Sequence, residues 1–322
     1  MADLKYDTEF WGVIGHLIAG AKSPDFDDHI ALRMHMEEVS RQLFQHVPRP
    51  AGVSETKYDI VSLDGTNIAL HRFAPDSLKN ATSPQRAVIY LHAGGMIMGS
   101  IDMFKPQIEN DAVLNEVQFF GVEYRLAPEH PAPAALEDTY AAIQWIQANA
   151  KELNVDPARI ALMGHSAGGG IAAGTALMAR DKGLSPPLAR LVLIYPMLDD
   201  RTTLESGNVL GKYLTWTSQN NDIGWKAYLG GRERGNRADV SIYAAPGRAE
   251  NLEGLPPTYL EIGGLDLFKA ENIAFAGKLA TANNGVEFHL YAGLVHGWDG
   301  IAPTIRAFKQ AAENRKRVLA DF

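Results

Sequence analysis

Cysteine is absent from the 322-residue chain. Its absence removes disulfides, thiolate metal sites and cysteine nucleophiles together, and a reducing cytoplasm is the expected compartment. No run of about 18 apolar residues occurs, so no membrane span is expected. The opening Met1-Ala2-Asp3-Leu4-Lys5-Tyr6-Asp7 lacks a basic segment followed by an apolar one, and no secretory leader is expected. Clustered positive charge is missing too. The net charge of −8 argues against nucleic acid as a partner. Internal repeats, low-complexity tracts and heptads are also lacking. What remains is a chain that is 46% hydrophobic and long enough for a substantial core. One large α/β domain with an accessory lid fits it as well as two domains would.

Short apolar runs punctuate the chain at Ala87–Leu91, Val117–Val122, Ile160–Met163, Leu191–Tyr195, Thr258–Ile262 and Val286–Tyr291. Helix-compatible stretches, notably Ala134–Leu153, Ala167–Arg180 and Ala270–Ala282, lie between them. Buried strands alternating with helices predict βαβ crossovers and a mainly parallel sheet. Upstream, Lys57–Leu63 and Asn67–Phe73 flank Asp64-Gly65, a dipeptide suited to a tight hairpin. Residues 1–50 read as a helical segment ended by Val47-Pro48-Arg49-Pro50, where two prolines stop any helix. Residues 51–322 would be the main domain. One insertion, about 199–237, has no clear strand but carries Tyr213, Trp216, Trp225 and Tyr228. Such aromatics usually pack a core. Their position after a strand instead suggests that the insertion and the N-terminal helices form a lid.

Gly164-His165-Ser166-Ala167-Gly168 sits between a β-compatible and an Ala-rich, helix-compatible run. This G-x-S-x-G pattern at a strand-to-helix turn marks a nucleophile elbow. A serine hydroxyl is a weak nucleophile until an oriented base takes its proton. Chain order after such an elbow is serine, acid, histidine. After Ser166 only His289 and His296 remain. His289 falls inside a predicted strand, where a structural role is expected, whereas His296 follows that strand on a loop. Asp266 follows the strand Thr258–Ile262 and is the preferred acid, although an Asp there could equally cap a helix. Asp199, after Leu191–Tyr195, is the rival. Preorganised donors must also meet the oxygen that gains charge. His92-Ala93-Gly94-Gly95-Met96 follows a strand, and its glycines let backbone N–H groups approach a ligand closely. The expected donors are the N–H groups of Gly94, Gly95 and Ala167.

Several stretches together carry a resemblance: His92-Ala93-Gly94-Gly95, Glu123-Tyr124-Arg125-Leu126-Ala127-Pro128-Glu129-His130-Pro131, Gly164-His165-Ser166-Ala167-Gly168-Gly169, Tyr195-Pro196-Met197-Leu198-Asp199-Asp200 and Val295-His296-Gly297. From about residue 84 to the end, the chain resembles the hormone-sensitive-lipase-like esterases and lipases of the α/β-hydrolase fold. The resemblance implies a mostly parallel sheet flanked by helices, a helical cap, and a carboxylic-ester hydrolase using Ser166, Asp266 and His296. It also implies that Asp199 is structural. Two positions depart from the family pattern. Ala93 stands where the first of three glycines is usual, but the donor positions Gly94 and Gly95 are kept. His165 stands where an Asp usually precedes the nucleophile. An imidazole there could perturb the pH profile, although a hydrogen-bonded scaffold role is expected. The Glu123–Pro131 stretch is expected to brace the oxyanion turn.

The expected reaction is acyl transfer to water through an acyl-enzyme, with no metal or organic cofactor. Met96, Met98, Met103, Trp216 and Trp225 are expected to wall the substrate pocket, favouring short- to medium-chain or aryl esters. A lactonase or amidase would use the same parts, and a non-catalytic receptor on the same fold is the more distant alternative. Relatives often pair through the last strand, so Val286–Tyr291 is the expected edge of a homodimer.

Overall fold

The computed structural model describes residues 4–18, 24–236 and 238–322. Of the predicted cap segments, residues 1–3, 19–23 and 237 lie outside the described residues. The chain opens with helices α1 (Thr8–Ile18) and α2 (His29–Phe44). Asp28 caps α2 by accepting from the Ile30 and Ala31 N–H groups. A hairpin follows, β1 (Val53–Val61) and β2 (Asn67–Pro75), longer than predicted but turning where Asp64-Gly65 predicted it, with Gly65 at φ +88°.

The remaining chain alternates as β3 (Gln85–Leu91), α3 (Ile101–Asn115), β4 (Gln118–Val122), α4 (Ala134–Ala148), α5 (Ala150–Leu153), β5 (Val155–His165), α6 (Ala167–Asp181) and β6 (Arg190–Ile194). Then come α7 (Ser218–Leu229), β7 (Thr258–Gly263), α8 (Lys269–Thr281), β8 (Val286–Tyr291), α9 (Trp298–Ile301) and α10 (Arg306–Ala320). The helix predicted over Ala134–Leu153 is therefore two pieces, parted at Asn149. The strands form one eight-stranded sheet, ordered β1-β2-β4-β3-β5-β6-β7-β8. β1 and β2 run antiparallel, β2 pairs antiparallel with β4, and every other pairing is parallel. β4 and β7 are buried throughout, as strands covered on both faces must be, whereas β8 at the sheet's end is only half-buried.

Parallel strands of a right-handed α/β sheet send their C-terminal ends to one rim. Ser166 directly follows β5, Asp266 lies three residues past β7, and His296 lies five past β8. The N-terminal α1 and α2 and the 199–236 segment, which contains α7 and no strand, lie outside the sheet. Gln219 Nε2 on α7 donates to the Phe26 carbonyl, and Tyr213 Oη to the Leu4 carbonyl, so the two segments are tied. No helix among the described residues is long and apolar enough to cross a membrane.

Candidate active site

The elbow is made by close approach. A Cβ on Gly164 would lie 2.2 Å from the Gly168 carbonyl oxygen, and one on Gly168 only 2.2 Å from that of Leu91. Neither position tolerates a side chain. Between them Ser166 takes φ +53° and ψ −117°, a backbone conformation that costs a non-glycine residue about 1–3 kcal/mol. Surrounding bonds hold it there. Its N–H donates to the Ile194 carbonyl at 2.9 Å, and its carbonyl accepts from Met197 N–H at 3.0 Å and Gly170 N–H at 3.1 Å. The hydroxyl consequently stands at the N-terminus of α6, where the helix dipole favours negative charge.

The loops after β7 and β8 are laced together. Gly264 N–H donates to the Tyr291 carbonyl at 2.7 Å and Leu265 N–H to that of Leu294 at 2.8 Å. That lacing brings two residues 30 positions apart into contact: His296 Nδ1 lies 2.7 Å from Asp266 Oδ2. The other ring nitrogen, Nε2, lies 2.8 Å from Ser166 Oγ. Asp266 is fully buried, and its second oxygen accepts from Phe268 N–H at 2.8 Å, so it also serves the start of α8. Tyr195 and Phe268 meet the His296 ring edge-on, with centroids 4.8 and 5.1 Å away. Asp199 is occupied elsewhere. Arg201 binds both its oxygens, and desolvation notwithstanding, those bonds hold its carboxyl below the usual range. His289 pairs through Nε2 with Glu287 on its own strand, at 2.7 Å.

At the end of β3 the chain turns through Gly94 (φ +136°) and Gly95 (φ +58°). A Cβ on Gly94 would strike the Met98 carbonyl at 2.1 Å, and one on Gly95 the Trp216 ring at 2.5 Å. The turn is braced from the Glu123–Pro131 stretch: Tyr124 Oη donates to the His92 carbonyl at 2.8 Å, and Ala127 N–H to that of Met96 at 3.0 Å. Arg33 of α2 adds a bond from Nε to the Ile97 carbonyl at 2.6 Å. Among the described residues, no acceptor takes the N–H of Gly94, Gly95 or Ala167. Burial pushes the stacked His92 imidazole down to about 4 and keeps it neutral.

Ser166 and His296 open into a cavity of about 390 Å³. Met98, Met103 and Trp216 line it. Met96 and Trp225, expected on its walls, do not. The Met96 methyl points at Gly170 of α6, and Trp225 is wholly buried edge-on to Tyr228. Their places are taken by His35, Met36 and Val39 of α2, with Tyr195 and Gln107. Only the apolar spacing Leu32, Met36, Val39, Leu43 hinted at a packing face on α2, and nothing in it says what that face meets. His165 also lines the cavity. Burial lowers its imidazole to about 3, so it is neutral at ordinary pH, with Gln107 Nε2 lying 3.2 Å from its Nε2. Away from the cavity, Glu55, His71 and Asp102 bring possible metal-ligand atoms within 4.8 Å. His71 and Lys105 already engage the two Glu55 oxygens, which makes the cluster an ion-pair network.

Residues 88–300 match a family model described as alpha/beta hydrolase fold. Among curated relatives, an esterase named LipI from Mycobacterium tuberculosis is 33% identical over 301 residues, spanning 88% of this chain and 89% of its own. A carboxylesterase named NlhH from the same species is 35% identical over 244 residues, 72% of each chain. Among solved structures, a bacterial heroin esterase superposes with a TM-score of 0.87 at 34% identity, covering 98% of this chain and 97% of the other. A hyperthermophilic esterase from Pyrobaculum calidifontis gives a TM-score of 0.85 at 28% identity, covering 98% of each.

Proposed function

Since the chain belongs to the α/β-hydrolase-fold esterases and is a serine carboxylesterase, we propose that Ser166, His296 and Asp266 carry its reaction. The observation behind this is the unbroken relay from Ser166 Oγ to His296 Nε2 (2.8 Å) and from His296 Nδ1 to Asp266 (2.7 Å). Ser166 Oγ attacks the ester carbonyl while its proton passes to His296 Nε2. The buried Asp266 carboxylate accepts the Nδ1 proton in a hydrogen bond and stabilises the imidazolium without itself becoming protonated. The unpaired N–H groups of Gly94, Gly95 and Ala167 receive the oxyanion. The tetrahedral adduct collapses, His296 gives its proton to the departing alcohol, and the acyl group stays on Ser166. Water, deprotonated by the same histidine, then repeats the sequence and frees the acid.

The described parts of residues 1–50 and 199–237 serve as the cap, since α2 and Trp216 wall the cavity. Its size and methionine-rich lining suit short- to medium-chain or aryl esters. Replacing Ser166 with Ala should lower kcat for p-nitrophenyl butyrate by roughly six orders of magnitude. Turnover within tenfold of the parent would refute the nucleophile assignment. The half-buried β8 edge is where a second copy would add, which sedimentation of the protein would test.

A further inference from the structure

Arg33 stands in the second turn of α2, yet the hydrogen bonds of its side chain all leave the helix for the loops beside the oxyanion turn. Nε donates to the Ile97 carbonyl at 2.6 Å and Nη2 to the Ala127 carbonyl at 2.9 Å. Nη1 and Nη2 also meet the two Glu129 oxygens, each at 2.8 Å. Among the described residues, no other side chain of α2 is hydrogen-bonded outside the helix; Glu38, Arg41 and Gln42 bond only to one another. A planar guanidinium presents its N–H donors in a fixed fork, which suits a site where two carbonyls and a carboxylate must be held together.

The Ile97 carbonyl is a consequential anchor. It shares a peptide plane with the Met98 N–H, which donates to the Gly94 carbonyl at 3.0 Å. The Gly94 carbonyl shares the next plane with the Gly95 N–H, one of the three groups read above as oxyanion donors. Both peptides are trans, so in each the C=O and N–H point in opposite directions and turn together. Fixing the Gly94 carbonyl therefore fixes the aim of the Gly95 N–H. Arg33, the Ile97–Met98 peptide and the Gly94–Gly95 peptide thus form one hydrogen-bonded chain ending where the oxyanion forms. Each bond polarises the next, so a cation at the head strengthens the donor at the tail. Two adjacent glycines have little conformational preference of their own, and the turn needs such outside bonds to keep one shape. Ala127 closes the brace: its N–H goes to the Met96 carbonyl while its own carbonyl takes Arg33.

Resting on the assignment of Ser166 as nucleophile and of Gly95 N–H as an oxyanion donor, we propose that Arg33 is a positioning residue for the oxyanion hole, supplied by the cap. It touches no reacting atom and acts through the two peptides. Oxyanion donors engage fully only as charge develops on the carbonyl oxygen, so misaiming one slows kcat and spares KM.

Arg33→Ala should lower kcat for p-nitrophenyl butyrate by about thirtyfold, short of the hundredfold or more that losing a donor outright costs, with KM within about threefold of the parent. Butylboronic acid, whose tetrahedral adduct with Ser166 places an oxygen in the hole, should lose affinity by about the factor by which kcat/KM falls. Millimolar guanidinium ion should restore part of the lost rate in the variant and none in the parent, because it refills the vacated fork. A role confined to holding the cap predicts a different pattern. Since α2 walls the cavity, KM would rise, kcat would hold, and the boronate would weaken no more than the substrate. That pattern, or parent-like kinetics, would overturn the proposal. Should Arg33→Ala fail to fold, Glu129→Gln carries the test. It keeps Arg33 but removes the charge that steadies its fork, and should lower kcat by about threefold, the scale of a half-exposed ion pair, with KM retained; an unchanged kcat there would overturn the proposal equally. Turnover surviving in Ser166→Ala would sink the nucleophile assignment, whereas an inactive Ser166→Ala beside a parent-like Arg33→Ala would sink the role of Arg33 alone.

Discussion

Asp266 does two things that the sequence offers as rivals. One oxygen meets His296 and the other takes the Phe268 N–H, because a carboxylate has lone pairs for both. Asp266→Asn keeps an acceptor for α8 but removes the charge and permits the wrong histidine tautomer. It should lower kcat by roughly four orders of magnitude. Asp199→Asn, which loosens only the Arg201 pair, should change kcat less than about threefold; a larger loss at Asp199 would reverse the choice of acid. His165 gives a pH-dependent counterpart. Its folded-state imidazole sits at about 3 because of burial, against about 6.5 when unfolded. Between those values the unfolded chain binds a proton that the folded chain refuses, so this contribution is complete above about pH 6.5 and is lost as pH falls. Removing it in His165→Gln should shrink the loss of unfolding free energy from about pH 6.5 to about pH 5 by roughly 2 kcal/mol. Urea denaturation at both values checks this, and parallel curves for parent and variant would contradict it. At this scale the sequence was readable wherever order along the chain constrains geometry, as for Ser166, Asp266 and His296. Tyr195, Met36 and Gln107 were not readable, because packing against a distant loop leaves no local pattern.

Among the elements, the central strands were legible because burial on both faces demands uninterrupted apolar runs. Two helices were not. α3 carries Pro106 in its interior, which reads as a break, although its buried face is built mainly from Ile101, Phe104, Ile108 and Ala112. α10 reads as a charged surface helix, Arg306-Ala307-Phe308-Lys309-Gln310 onward, yet Arg315 points inward. There it binds Asp299 at 2.7 Å and also Glu261, both buried. The charge that hides the helix in the sequence is what fixes it in the fold. Asp299 in turn accepts from Tyr195 Oη at 2.6 Å, and Tyr195 abuts the catalytic imidazole, so α10 is linked to the site by three contacts. Arg315→Met would fill similar space while stranding two buried carboxylates. It should cost about 3–5 kcal/mol of unfolding free energy, read from urea midpoints at neutral pH. A cost below about 1 kcal/mol would mean that the carboxylates find other partners or water.

Over the whole molecule, strand direction separates chemistry from anchorage. Because β3, β5, β6, β7 and β8 run parallel, their C-terminal ends gather Gly94, Gly95, Ser166, Asp266 and His296 on one rim. The opposite rim does different work. Arg86 at the start of β3, Arg159 early in β5 and Arg190 at the start of β6 donate to the carbonyls of Leu319, Phe322 and Asp321, pinning the end of α10 and the residues after it across the strand beginnings. Arg159 makes its bond through Nε at 2.8 Å. These bonds lie a full strand length from the reacting atoms, so their loss should loosen the molecule without touching the relay. Arg159→Ala and Arg190→Ala should each remove roughly 1 kcal/mol, lowering Tm by about 1–2 °C for a chain of this size. Because the sites are neighbours gripping one short segment, the double variant should lose less than the two single effects added. In all three variants kcat/KM for p-nitrophenyl butyrate should stay within about twofold of the parent at a temperature well below the transition. Scanning calorimetry beside initial rates decides it. A tenfold fall in kcat/KM with Tm unchanged would mean that strain at one rim reaches the other, and the division of labour along the strands would have to be abandoned.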